Sequence, residues 1–225
     1  MEWIMQLPPE RKFGWKPKPL GSAKTTVTNL PTGQIELTIE HDTIKGVTTE
    51  MLMWWFSTFT EMMVEIPGVT YPAYHVWHPF DHIEAAAIKT EAERPMKQGD
   101  KIRIHEAFQR DRRFEVDETA VVSTLNIGGM GLTAHKLGQT LLDLQHRFQD
   151  VEGGVEYRSR MVLGMESGLL KPLINNIVLP KKFSREKADA WLLHNVEEVG
   201  YFENFLADLH DRRDQGSTIS LDQFV

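Results

Sequence analysis

The sequence predicts an α+β fold in which a curved antiparallel sheet wraps a long C-terminal helix. Three observations carry that expectation. A helix-length apolar run lies early, at 48–66. Strand-length segments punctuated by Gly and Pro fill 71–164. The longest helical pattern, 184–213, comes last. With 225 residues, 41% hydrophobic and 25% charged, the chain has enough apolar surface for one folded domain. We read 1–225 as that domain, with an extended segment over 1–23, a core over 24–213 and a tail over 214–225.

Residues 1–23 are rich in Pro and Lys and carry Trp3, Phe13 and Trp15. The spacing suits an extended segment that tucks its aromatics onto the domain. TTVTNL (25–30) and QIELTIEH (34–41) read as strands around a PTG turn. Ile35, Leu37 and Ile39 alternate with polar residues and define a buried face. TTEMLMWWFSTFTEMMVEI (48–66) reads as a helix capped by Thr48 or Thr49 and stopped by Pro67. It is apolar nearly all round, so it must be well buried. Its Met and Trp side chains suit core packing and an aromatic cavity wall alike.

YPAYHVWH, KIRIHEAF, ETAVVSTLNIGG and GGVEYRSRMVLG follow as strands. KLGQTLLDLQHRF (136–148) fits a strand or a short helix, and SGLLKPLINNIVLP (167–180) a short helix or turn. The final helix begins at Ser184, a good N-cap, and spans roughly 45 Å.

Composition excludes several chemistries. Cysteine is absent, so there is no disulfide scaffold, zinc–thiolate site, iron–sulfur cluster or Cys nucleophile. A net charge of −7 is poor for phosphate binding, so no nucleic-acid partner is expected. No run of 18 apolar residues exists, and the start lacks a positive-then-apolar signal layout. The expectation is a cytoplasmic protein without a membrane partner.

Polar residues in apolar stripes point to a site. In the last helix Trp191, Phe202, Phe205 and Leu209 mark one stripe, and the missing members are His194 and Glu198. These are i and i+4 neighbours, so both can reach one point. A carboxylate on a core-facing stripe needs a cation or hydrogen-bond donors. In KIRIHEAF, Glu106 shares a strand face with Ile102, Ile104 and Phe108. It is a ligand, or a partner of Arg158 or Arg160. In YHVWHPFDH, an extended chain puts His75 with Ala73 and Trp77 and turns His78 the other way. Asp81 and His82 are partners behind the ligands, or a turn pair. Two Glu and two His on core-facing positions of three elements would suit Zn²⁺, with Mn²⁺ or Fe²⁺ as alternatives.

At HVWHPFDH, IHEAF and HNVEEVGYFENFLADLH the chain resembles the 2,4-diacetylphloroglucinol hydrolase and phloretin hydrolase family. The resemblance covers about residues 45–213 and is fairly specific only in combination. It implies a helix-grip fold of the Bet v 1/START type. It also implies zinc-dependent hydrolysis of the C–C bond between an aromatic ring and an acyl group. The family's metal set would fall on His75, on Glu106 at 31 positions further on, and on the pair His194 and Glu198. A family Asn that contacts substrate is replaced here by His78.

The polar work of catalysis is expected from His78, Tyr157 and His135. The ring would ketonise, and water would then attack the acyl carbonyl and expel an enolate. The expected partner is a small aromatic ketone, and a homodimer is allowed. The alternatives are a non-catalytic carrier of an apolar aromatic ligand in the same fold, or a metal hydrolase with a different aromatic or polyketide substrate.

Overall fold

Alternation along the strands builds a nine-stranded antiparallel sheet whose concave side holds the last helix. The computed structural model describes residues 7–91, 94–136 and 138–221. The first six residues of the N-terminal segment, Trp3 included, and the last four of the tail lie outside the described residues.

In chain order the elements begin with β1 (Lys24–Asn29), β2 (Ile35–Glu40) and β3 (Ile44–Lys45). Helix α1 (Thr49–Thr58), β4 (Met63–Ile66), β5 (Val69–Pro72) and the short helix α2 (Ala73–Trp77) follow. Then come β6 (His82–Ile88), β7 (Lys101–Ala107), β8 (Glu115–Asn126), β9 (Gly129–Lys136), β10 (Gln139–Val151) and β11 (Gly154–Leu163). Helical pieces α3 (Lys171–Leu173) and α4 (Leu179–Lys182) flank a π-turn at Ile174–Val178. Helix α5 (Arg185–Asp211) and β12 (Thr218–Ser220) complete the chain.

The main sheet has the order β1-β2-β11-β10-β9-β8-β7-β6, with β3 added beside β11. A small sheet, β12-β4-β5, lies apart. This is the α+β helix-grip arrangement that the sequence predicts.

The apolar stripe of α5 is where the periodicity puts it. Trp191, Phe202, Phe205 and Leu209 are all buried, together with Val196, Val199 and Leu206. Ser184 caps the helix by accepting from the Lys187 amide at 3.2 Å. Thr48 does the same for α1 through the Met51 amide, a contact worth about 1 kcal/mol. The tucked N-terminal aromatics are present too. Trp15 stacks on Phe205 with ring centroids 5.5 Å apart, and Phe13 meets Tyr71 edge-on at 5.2 Å.

Two local expectations need correction, and two open ones are decided. The helix predicted over 48–66 stops at Thr58, and Met63–Ile66 turns into β4. The reason is the Pro67–Gly68 turn, with Gly68 at φ +81, which folds Ile66 against Val69 as a hairpin. Tyr74–Trp77, read as strand, is the helical turn α2, entered from Pro72. The ambiguous run 136–148 is strand β10 from Gln139, while 167–180 is helical from Lys171.

Candidate functional site

The short helix α2 decides which histidine reaches the core. His75 lies on its outer side, half-buried, and donates from Nε2 to the Ile83 carbonyl at 2.7 Å. The expectation that His75 joins the metal set is therefore corrected. An extended strand would have turned it inward with Trp77; one helical turn swings it away.

His82 takes its place. It opens β6 directly opposite Glu106 on β7, and directly opposed residues share a sheet face. Its Nδ1 donates to the Tyr74 carbonyl at 2.7 Å. That bond fixes the tautomer and leaves Nε2 as a free lone pair. Nε2 is buried, has no hydrogen-bond partner among the described residues, and lies 3.5 Å from Glu106 Oε1 and 3.5 Å from Glu198 Oε2.

His194 has the same design. Its Nδ1 donates to Asp81 Oδ2 at 3.0 Å, and its Nε2 stands 3.8 Å from Glu106 Oε2 and 3.8 Å from Glu198 Oε2. Two imidazole nitrogens and two carboxylates thus converge, from β6, β7 and α5. The three predicted ligands Glu106, His194 and Glu198 are brought together as the sequence suggested.

The buried charges of the cluster oppose one another. Burial, with the Glu106 charge beside it, outweighs His194 and pushes the Glu198 carboxyl up to about 8. Burial opposes a charge on His194, but Asp81, Glu106 and Glu198 overcome it and raise that imidazole to about 9. Burial drives His82 well below the ordinary histidine range. A divalent cation would satisfy all four groups at once. The donor set fits one: two neutral-capable Nε2 atoms, each with its other nitrogen held, and two carboxylates.

Asp81 is the strut behind His194. It is buried and accepts from the Gln109 and Arg110 amides at 3.0 and 3.2 Å as well as from His194. Those two residues have positive φ, 55° and 54°, which turns their amides toward the carboxylate. Asp81 stays below its usual range although burial acts the other way, because His194 donates to it.

His78 belongs to this support rather than to a substrate-facing position. Its Nδ1 accepts from the Asp81 amide at 3.1 Å, so Nε2 carries the proton and points to Glu197 at 3.2 Å. Its ring stacks on the back of His194 with centroids 4.5 Å apart. The set His78, Asp81 and His194 also lies within metal-binding distance, but His194 Nδ1 is already given to Asp81 and His78 Nε2 is protonated. The expected catalytic role of His78 is corrected on the same ground.

A cavity of about 790 Å³ opens onto the cluster. Glu106, His194 and Glu198 line its inner end, beside Asn195 and His146. Phe56, Phe59, Tyr74, Trp77 and Phe108 give it aromatic walls. Helix α1 reaches the cavity through Phe56 alone; its Met and Trp side chains, from which the wall was expected, do not line it.

Tyr74 is the residue the sequence reading missed. Its hydroxyl donates to Glu106 in a very short contact, and its ring stacks on His82 at 3.7 Å. Burial, then Glu106, pushes its phenol well above the ordinary range.

The other two expected residues stand elsewhere. Tyr157 is fully buried, with its ring against Phe148 and His146 and its hydroxyl without a partner among the described residues. It does not line the cavity. Its phenol is raised by burial, then by Glu198. His135 lies exposed at the cavity rim and, among the described residues, bonds only to Thr133 and Thr140, each at 3.2 Å. Neither the Tyr157 hydroxyl nor His135 bonds to a cluster residue among the described residues, so no contact there carries either expected role.

No family model and no curated protein match the chain. Among solved structures it is similar to protein Ms6760 from Mycobacterium smegmatis. The identity there is 11%, over 83% of this chain and 100% of that one, with a TM-score of 0.44. A protein from Rhodobacter sphaeroides gives 13% identity, 83% and 99% coverage and a TM-score of 0.46. The protein Ara h 8.0201 gives 9% identity, 72% and 96% coverage and a TM-score of 0.37. Likenesses this distant say nothing about the site.

Proposed function

We propose that the chain is a zinc-dependent hydrolase of acylphloroglucinol-type ketones. It would cleave the C–C bond between a polyhydroxylated ring and its acyl group, giving the phenol and a carboxylic acid. One observation carries this reading: Glu106, His194 and Glu198 line an aromatic-walled cavity, and His82 meets Glu106 and Glu198 beside them. These four residues would hold the metal. When bound, zinc polarises a carbonyl and lowers the pKa of water.

The rest of the chemistry falls to the chain itself. The aromatic walls exclude bulk water and orient a flat ring with its acyl arm toward the cluster. Hydroxyls ortho or para to the acyl group let the ring ketonise, so the scissile bond becomes that of a β-diketone. Water adds to the acyl carbon, the C–C bond breaks, and its electron pair moves to the ring ketone as an enolate. The ring carbon then takes a proton and the phenol reforms.

Tyr74 would donate to an oxygen of the substrate once Glu106, which now accepts its one hydroxyl proton, turns to the metal. Its phenol is held above the ordinary range, so it keeps its proton at neutral pH. Asp81 and His78 keep His194 aimed at the cluster without touching substrate.

The test uses zinc-loaded protein, an acylphloroglucinol and its ring-methylated ether. Hydrolysis of the first and binding without hydrolysis of the second is the expected result. Turnover of the ether would overturn ketonisation. Binding of both without turnover would assign the cavity to a carrier.

A further inference from the structure

The cavity is rimmed by a segment whose outer face is built unlike the rest of the surface, with Val178 and Lys182 both lining the cavity and exposed. Residues 171–182 run as one helical stretch, α3, the π-turn and α4. Its inner side supplies Ile174, Val178 and Leu179 to the cavity wall. Its outer side carries Leu173, 48% exposed, and Ile177, 50% exposed, and the turn before it carries Leu169, 100% exposed. Leu173 and Ile177 stand four residues apart on the helical stretch. Five of the eleven exposed large apolar side chains among the described residues fall within 169–178. Such clustering on a surface marks an interaction site.

Charge on the segment runs against that of the chain. Residues 164–187 hold five Lys or Arg and two Glu, while the whole chain carries −7. Lys171, Lys181 and Lys182 make no ion pair among the described residues. An apolar stripe flanked by unpaired lysines matches a lipid interface: the stripe enters the acyl boundary and the ammonium groups meet anionic headgroups. A second copy of the chain suits it less. A two-fold interface would set the same cationic patches against each other.

The segment is tied to the domain on its buried side. Asn175 holds its buried side, giving Nδ2 to the Met165 and Thr32 carbonyls at 2.8 and 3.1 Å and taking the Met165 amide at 2.8 Å. Pro180 falls in the first turn of α4, where a missing amide proton is tolerated, and the π-turn Ile174–Val178 precedes it.

We propose that the face formed by Leu169, Leu173 and Ile177, with Lys171, Lys181 and Lys182, docks on an anionic lipid surface and places the cavity mouth at the bilayer. The contact is peripheral, and no described helix is long and apolar enough to cross a membrane. An apolar ligand would then pass between lipid and cavity past Ile174 and Val178 without crossing bulk water. The inference does not depend on the reaction proposed above.

Co-sedimentation of the full chain with vesicles of phosphatidylglycerol, and separately of phosphatidylcholine, tests it. Binding to phosphatidylglycerol should exceed binding to phosphatidylcholine by about tenfold or more and weaken with salt. The double variant Lys181→Glu/Lys182→Glu should lose that preference. The double variant Leu173→Asp/Ile177→Asp should lose binding to both vesicles. All four side chains are exposed, and an unchanged thermal midpoint shows that each variant folds. Wild-type protein that stays in the supernatant with both vesicles, or variants that bind as it does, would overturn the proposal. A dimer in light scattering that Leu173→Asp dissolves would assign the face to a second copy and overturn it as well.

Discussion

His82 faces Glu106 across the β6–β7 pair, and its Nε2 stands 3.5 Å from Glu106 Oε1 with no hydrogen to give it. A neutral imidazole whose Nδ1 proton is held by a carbonyl can only use Nε2 as a lone pair. This geometry separates two histidines that a sequence reading confuses. His82→Ala should lose stoichiometric zinc, while His75→Ala, whose ring bonds the Ile83 carbonyl, should keep it. Elemental analysis of the two purified variants decides. Equal loss in both would return His75 to the ligand set.

Asp81 should act on metal affinity through His194. Asp81→Asn keeps the shape but weakens the bond that orients the imidazole. Loss of such a supporting carboxylate commonly costs about 10- to 100-fold in affinity. Competition with a chromophoric chelator measures it. Because Asp81 also accepts from the Gln109 and Arg110 amides, the thermal midpoint should fall too, and Asp81→Glu should not restore either property. An unchanged zinc affinity in Asp81→Asn would remove the residue from the site.

The part of the site on α5 was legible because a single helix carries it. His194 and Glu198 interrupt one apolar stripe, and helical periodicity alone exposes them. Glu106 was legible by strand alternation. His82 was not, because its position depends on the pairing of two strands 24 residues apart, with a register shift between His82 and Glu84. No local pattern encodes that. Tyr74 was hidden by the misread of α2: as a strand residue it would have faced away from His75, with no reason to meet His82. The Pro72–Ala73 entry into a helical turn and the Pro67–Gly68 hairpin were the available signals. Both were outweighed by the β-like run around them. The support role of His78 required the Asp81 amide, a contact three residues along that forms only once the turn exists.

Tyr74 separates binding from turnover. Tyr74→Phe removes one hydroxyl and keeps the ring stack on His82, so zinc content and fold should be retained. Turnover of an acylphloroglucinol should fall about 10²-fold or more in kcat, the size expected for a lost proton donor. Steady-state kinetics on the zinc-loaded variant give the answer. A change confined to KM would make Tyr74 a binding residue only. Tyr157→Phe removes a hydroxyl that does not line the cavity and should leave kcat within a few-fold of wild type.

His146 makes the fold sensitive to acid. It is buried, and burial lowers its pKa from 6.5 to about 4. Its Nδ1 meets Ser159 Oγ at 3.0 Å, and Ser159 in turn meets His41 Nε2 at 3.0 Å. Between pH 6.5 and about 4 the unfolded chain binds a proton at this position and the native state does not. Stability therefore rises with pH through that window and is lost as pH falls through it. From pH 6.5 to pH 5 the loss from this one group is about 2 kcal/mol. His146→Gln cannot titrate and keeps a polar atom for Ser159. Urea unfolding of both proteins at pH 7 and pH 5 should show a smaller pH difference for the variant, by roughly that amount. Identical pH dependence in the two would mean that His146 is protonated within the folded protein, and the burial argument for it would fail.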